Sequence, residues 1–225
     1  MNRTRRAVAR VTRRLRFLVL APLWGCALNN VHVGPPTAPL TTDASLGRGR
    51  VVLIEMPFKD DRPDRTRCGM VKNGYGMDTA NVVCVVPPKE FVAEQLVRGL
   101  SAAGFSVIEG QSADPLRIEG TLVQFFLEPK VDALTFTPEA DVGVHLVATS
   151  ASGLRAERDF YVKGEELSVI GWESNFQHAS DKGTNTIVEA MIVAIAELCD
   201  HYPAVALPRT RTSLAVTARP AEGLR

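Results

Sequence analysis

Apolar positions change rhythm along the chain, and the changes mark out its elements. From Arg50 to Phe58 the apolar run is continuous, with Val51-Val52-Leu53-Ile54 at its centre, as expected of a strand buried on both faces. Lys59 to Asn81 is polar and carries Gly69, Gly74 and Gly76, so it reads as a long loop with room for a hairpin. Asn81 to Val86 reads as a short strand. From Lys89 to Ala103 the period lengthens, and Phe91, Val92, Leu96, Leu100 and Ala103 share one helical face. Pro88 suits the first turn of that helix, where a missing N–H costs nothing. Gly104 suits the position just past its end.

Four strands are expected next. Phe105 to Ile108 is short. Leu116 to Leu127 alternates through Ile118, Gly120 and Leu122, then changes phase to Val123, Phe125 and Leu127, as a bulge near Leu122 would make it. Ala140 to Thr149 alternates at Val142, Val144, Leu146 and Ala148. Leu154 to Lys163 puts Leu154, Ala156, Phe160 and Val162 on one face and mostly charged residues on the other. Ser152-Gly153 between the last two reads as a hairpin turn. A second helix, from Thr184 to about Asp200, carries an apolar stripe of Ile187, Val188, Met191, Ile192, Ile195 and Leu198, with Thr184 or Asp181 as its cap. The expected fold is α+β: an antiparallel sheet of about four to five strands with two helices packed on one face.

The N-terminus carries a different pattern. Residues 1–25 hold seven arginines and no acid, then the short apolar run Phe17 to Trp24. That run falls short of the roughly 20 apolar residues of a spanning helix and fits a secretory signal. Leu23-Trp24-Gly25-Cys26 resembles a bacterial lipoprotein signal. The resemblance implies cleavage before Cys26, a diacylglyceryl thioether on its sulfur and acylation of the new N-terminus, palmitate among the acyl groups. A secretory signal without lipid is the alternative. Thr12-Arg13-Arg14 also resembles a twin-arginine signal, which leaves the export route open. Ala27 after the cysteine implies sorting to the outer membrane, since Asp is the residue that retains such proteins in the inner one.

Four segments follow from this: a signal peptide at 1–25, a lipidated flexible tether at 26–48, a single α+β domain at 49–202 and a disordered Pro- and Arg-rich tail at 203–225. The roughly 150 residues of the domain are enough to bury a real core. Without its signal the chain keeps 19 of its 26 basic residues against 25 acidic ones, a net of −6. A mildly acidic body without a basic stripe gives no footprint for nucleic acid.

The cysteines agree with export. Cys68 and Cys84 flank the long loop, and a bridge in an oxidising compartment would close it; both being unpaired is the alternative. Cys199 is left as a buried thiol on the second helix. His32, His145, His178 and His201 are scattered, and Cys199-Asp200-His201 lacks zinc-site spacing, so no metal and no cofactor is expected. G-x-S-x-G, H-E-x-x-H and phosphate-loop motifs are missing, and Ser174, His178 and Asp181 are no more than a polar stretch. The expected role is not enzymatic.

After a lipoprotein signal and a buried strand come Asp60-Asp61-Arg62-Pro63, Gly69 and Lys72-Asn73-Gly74-Tyr75-Gly76. This order resembles the YajG-type family of small bacterial envelope lipoproteins, whose first strand ends in an Asp-x-Arg turn before a Gly-rich segment. Asp60 and Arg62 match that pair. The resemblance spans about residues 45–200, mostly as element order, and implies a place in the envelope more than an activity. The long basic n-region, the extra cysteines and the Arg-rich tail depart from the pattern.

Two readings stand for Asp60 and Arg62: a turn ion pair, or a recognition loop that with Arg65 and Arg67 offers bidentate donors to an acidic partner or glycan. Trp172 and Phe176 are either interface anchors in a loop or aromatics over the open end of the core. The function expected is a membrane-anchored, non-catalytic structural or accessory component of the envelope, bound to the membrane by its lipid and to an envelope protein or complex. Two alternatives are an auxiliary lipoprotein of an envelope ABC transport or lipid-trafficking system, and a small-molecule or lipid binder with a cavity lined by Phe125, Phe126, Phe136 and Phe160. Oligomeric state is open, and an exposed edge strand would let two copies pair.

Overall fold

Leu116–Val131 is the strand about which the fold is built. The structure, a computed structural model, describes residues 29–108, 115–132, 135–167 and 173–203. In chain order they form β1 (Val31–Val33), β2 (Val51–Ile54), β3 (Lys59–Asp60), β4 (Gly69–Lys72), β5 (Asp78–Cys84), α1 (Pro88–Ala102), β6 (Ser106–Ile108), β7 (Leu116–Val131), β8 (Phe136–Thr149), β9 (Arg155–Glu165) and α2 (Glu173–His201). The signal peptide, Cys26, Trp172 and the tail from Ala204 lie outside the described residues.

One edge of β7 pairs antiparallel with β8, and β8 with β9, over nearly their full lengths. Its other edge takes three short strands in succession, all parallel. β2 lies against Leu116 to Ile118, β3 against Thr121 and Leu122, and Gly69 of β4 against Leu127. Beyond these, β2 pairs parallel with β6, β4 antiparallel with β5, and β5 parallel with β1. The sheet is therefore nine-stranded and mixed, not an antiparallel sheet of four to five strands. Apolar periodicity reports which face of a strand is buried. It says nothing about the partner, and the parallel partners here are far apart in sequence.

Several sequence expectations hold locally. Pro88 opens α1, and Gly104 follows it at φ +85°. The β7–β8 register slips between Leu122 and Gln124, which is the bulge expected there. Gly153, at φ +85°, turns β8 into β9.

Others are corrected. The segment Lys59 to Asn81, expected as a long loop with room for a hairpin, has that hairpin in β4 and the start of β5, and contains β3 besides. The segment expected as a tether contains β1, and residues after it lie on α2. The second helix begins at Glu173, so Asp181 and Thr184 are buried inside it and cap nothing. Its first turns are polar, which hides them from an apolar-stripe reading.

Both helices cover the sheet face that carries Ile118, Phe125 and Val142. Phe91 of α1 meets Phe125 edge-on at 5.4 Å between ring centroids, a geometry worth about 0.5–1.5 kcal/mol beyond the area buried. α2 lies directly on β9: a Cβ on Gly164 would come within 2.3 Å of the Gly183 nitrogen and 2.4 Å of the Ala179 oxygen. Gly99 gives α1 the same intimacy with α2, since a Cβ there would meet Ile192 at 2.6 Å and Leu40 at 2.5 Å.

Candidate functional site

The N-terminal strap is fixed to the domain by side chains of α2. Backbone groups in a Pro- and Thr-rich segment lack helix or sheet partners and need others. Glu173 accepts from the His32 N–H at 2.9 Å, and Gln177 Oε1 from the Gly34 N–H at 2.8 Å. Asp181 Oδ2 accepts from Thr37 Oγ1 at 2.8 Å and from the N–H groups of Thr37 and Ala38 at 3.2 and 3.3 Å. Gln177 Nε2 donates to Asp181 Oδ1 at 2.5 Å, which completes the network. With β1 in register on Val82 to Cys84, the chain is ordered almost back to Cys26.

Asp60 ends β3, and Arg62 lies just beyond it. The guanidinium forks onto the carboxylate, Nε to Oδ1 at 3.0 Å and Nη2 to Oδ2 at 2.9 Å, and Arg62 is 5% exposed. Arg62 Nη1 faces the Arg67 carbonyl at 3.5 Å and the Cys68 sulfur at 3.8 Å. Burial pushes the Asp60 carboxyl up, but the hydrogen bonds and charge of Arg62 outweigh it and hold the group below the usual carboxylate range. Arg62 is thus spent on holding the loop. Arg65 faces out and pairs with Asp61 at 3.1 Å, and Arg67 pairs with Asp64 at 2.8 Å and lies over the Phe126 ring.

Cys68 and Cys84 form a disulfide, with Cα atoms 5.7 Å apart, next to this pair. The bridge joins the residue before β4 to the last residue of β5. Cys199 is free and wholly buried, and desolvation pushes its thiol up to about 11.

An apolar groove of about 280 Å³ opens between the C-terminal half of α2 and the far end of the β8–β9 hairpin. Leu146, Ala156, Phe160, Ile195 and Leu198 line it. Arg158 and Glu197, paired at 3.4 Å, stand at its rim. It is not the cavity expected from four phenylalanines. Of these only Phe160 lines it, because Phe125 is filled by Phe91, Phe136 packs on Phe176 and Phe126 lies under Arg67. Phe176 is 1% exposed inside α2, so its place is the core.

The face of the sheet away from the helices is a lattice of cross-strand ion pairs. Lys163 reaches Glu139 at 2.7 Å and Asp141 at 3.6 Å, and His145 reaches Asp159 at 2.7 Å, while along β7 itself Arg117 reaches Glu119 at 3.3 Å. Lys72 pairs with Glu128. Glu139 and Asp141 hold the Lys163 ammonium above its ordinary value, mainly through the Glu139 hydrogen bond. Such exposed pairs contribute little to stability, because water and salt screen them. Tyr161 lies on this face over Gly143, where a Cβ would come within 2.7 Å of its ring. Among the described residues no group of three His, Cys, Asp or Glu side chains could hold a metal ion. No helix among them is long and apolar enough to cross a membrane. Sequence reasoning missed the groove, which rests on how α2 lies across the hairpin. It also missed the role of Asp181 and Gln177, although their spacing of four on one helix face was a readable signal.

Among solved structures, the chain is similar to a Xanthomonas campestris protein of the family DUF330. The two share 13% identity over 76% of this chain and 98% of that one, with a TM-score of 0.56. At that identity the likeness shows a shared fold. A minor lipoprotein of Acinetobacter baumannii aligns over 75% of this chain and 98% of its own, at 9% identity and a TM-score of 0.35. The lipoprotein GNA1162 of Neisseria meningitidis aligns over 65% and 98%, at 12% identity and a TM-score of 0.31. Scores this low carry no argument. None of these three is described as YajG-type. No protein-family model and no curated protein matches the chain.

Proposed function

We propose that the chain is a lipoprotein of the bacterial envelope, anchored through Cys26 to the outer membrane with its domain facing the periplasm, and that it serves there as a non-catalytic accessory component. One observation carries this reading. β1 begins at Val31, five residues after Cys26, and is hydrogen-bonded into the sheet. Five residues span at most about 18 Å. A lipid on Cys26 therefore holds the β1–β5 edge close to the bilayer surface. So short a leash suits a domain that works against a membrane-embedded complex, and an envelope ABC transport or lipid-trafficking system is the partner class that fits.

The test is a crosslinking pull-down from membranes with the native chain, with Cys26→Ser, and with a flexible insert of 20 residues between Asn29 and Asn30. A longer leash lowers the effective concentration of the domain at the bilayer. The reading expects a specific membrane complex on the native chain, less on the insert and none on Cys26→Ser. Equal capture by all three contradicts it.

A second reading, a binder of a small apolar molecule, is favoured by the groove alone. Its volume lies just below the usual range for ligand sites, about 300–1,000 Å³, and its walls are apolar. An acyl chain would fill it. Lipid extracted from the native protein but not from Ala194→Trp supports this reading, and an empty native protein removes it.

A further inference from the structure

Among the described residues β9 pairs with β8 alone, so its second edge is open along its eleven residues. The strand has no proline and no bulge against β8. An open edge this long is a template for another strand. Backbone on this edge meets one described group, the Lys182 ammonium on the Glu165 carbonyl at the strand's end, at 3.1 Å.

We infer that β9 pairs antiparallel with β9 of a second copy of this chain, centred on Phe160, giving a two-fold dimer with one continuous sheet. The charge pattern of the strand selects that register. Antiparallel pairing about a two-fold axis normal to the sheet keeps each face continuous, so residues of one face oppose residues of the same face. Centred on Phe160, the outer face sets Arg155 against Glu165, Glu157 against Lys163, and Asp159 against Tyr161, each twice by symmetry. Every charge on that face meets an opposite charge or a phenol hydroxyl. A shift of the centre to Tyr161 opposes Glu157 to Glu165, and a shift to Asp159 opposes Arg155 to Lys163 and Asp159 to itself. Like charges directly opposite destabilise a pair of strands. Phe160 is also the midpoint of Arg155–Glu165, so this register alone pairs the whole strand, about 37 Å of backbone at 3.4 Å per residue.

The helix side permits the same seam. Ala156 falls opposite Gly164, and both are small. Arg158 falls opposite Val162; its head is already drawn back to Glu197, which leaves its aliphatic stem for the valine. The exposed ammonium of Lys163 bridges two acids of its own chain and is 47% exposed, so it remains open to a third from the partner.

The test is the protein mass per particle of the full chain, extracted from membranes in detergent, by light scattering after size exclusion. The expected result is two copies for the native chain. Lys163→Glu and Glu157→Lys each put like charges opposite twice and weaken self-association about tenfold or more. Mixed in equal amounts, the two variants restore complementary pairs and the two-copy particle. Arg155→Glu and Glu165→Arg form a second such set, in case a reversal near His145 or Glu139 disturbs folding. A native chain with one copy per particle overturns the proposal. So does a two-copy particle that neither set of single reversals weakens, or reversals that weaken it without recovery on mixing.

Discussion

Asp181 of α2 accepts the Thr37 hydroxyl at 2.8 Å, and with it the Thr37 and Ala38 amides. One carboxylate in the middle of a helix thereby fixes the strap that links β1 to β2. Asp181→Ala leaves those donors without an acceptor in a site that is 4% exposed, a loss of about 2–3 kcal/mol. Urea unfolding reads the loss as a lower midpoint at unchanged slope. Hydrogen exchange of the Thr37 and Ala38 amides accelerates in the same variant. An unchanged midpoint contradicts the role given to Asp181.

Arg62→Ala strands the Asp60 carboxylate, whose side chain is 15% exposed. The expected cost near neutral pH is about 3 kcal/mol. Its pH dependence has a defined sign. The folded Asp60 carboxyl lies below its ordinary value, chiefly because Arg62 outweighs burial. The stability it contributes is therefore present above the unfolded value, about 3.9, and is lost as pH falls through the folded one. Asp60→Asn is accordingly less stable than the native chain at pH 6, and the gap closes on acidification toward pH 2. Urea midpoints across that range measure it, and a gap that widens in acid contradicts the ion pair.

The Cys68–Cys84 bridge closes a separation of 16 residues, for which chain entropy gives about 3 kcal/mol. Replacing both with Ser lowers stability by that order and leaves β4 and β5 the first strands to lose exchange protection. Cys199 stays silent throughout: buried and pushed up to about 11, its thiol reacts with a thiol reagent at pH 8 only after unfolding. Reaction of the folded protein within minutes contradicts its placement.

Gly164→Val tests the contact of α2 with β9. Even a Cβ at this position would lie 2.3 Å from backbone nitrogen, and backbone has no rotamer to move aside. Overpacking of this kind costs about 1–3 kcal/mol. Thermal unfolding followed by circular dichroism gives the shift, and Gly153→Ala supplies the contrast of a glycine with open space around it but strained φ.

How much of this was legible in the chain follows from what each signal encodes. Pro88 and Gly104 framed α1, the phase change at Val123 gave the bulge, and Ser152-Gly153 gave the turn, because each is a local backbone requirement. Of the three strands laid end to end along β7, β2 was legible as a buried apolar run, but β3, β4 and the edge all three share were not. β3 is only two residues long, and its pairing with Thr121 and Leu122 is fixed by a partner far along the chain. Residues 31–48 have linker composition, and what orders them is the pairing of β1 with β5 and hydrogen bonding from α2 rather than any pattern of their own. Asp60 and Arg62 were found as a pair, but their burial was not, because it depends on the loop folding back to Cys68.

The central claim is that Cys26 carries the lipid that holds the domain at the membrane. Intact mass of the chain purified from bacterial membranes tests it most directly. The account predicts a chain that begins at Cys26, heavier than its sequence by one diacylglyceryl group and one amide-linked acyl chain, with Cys26→Ser showing neither. A chain without acyl mass, or one cut elsewhere than before Cys26, contradicts it.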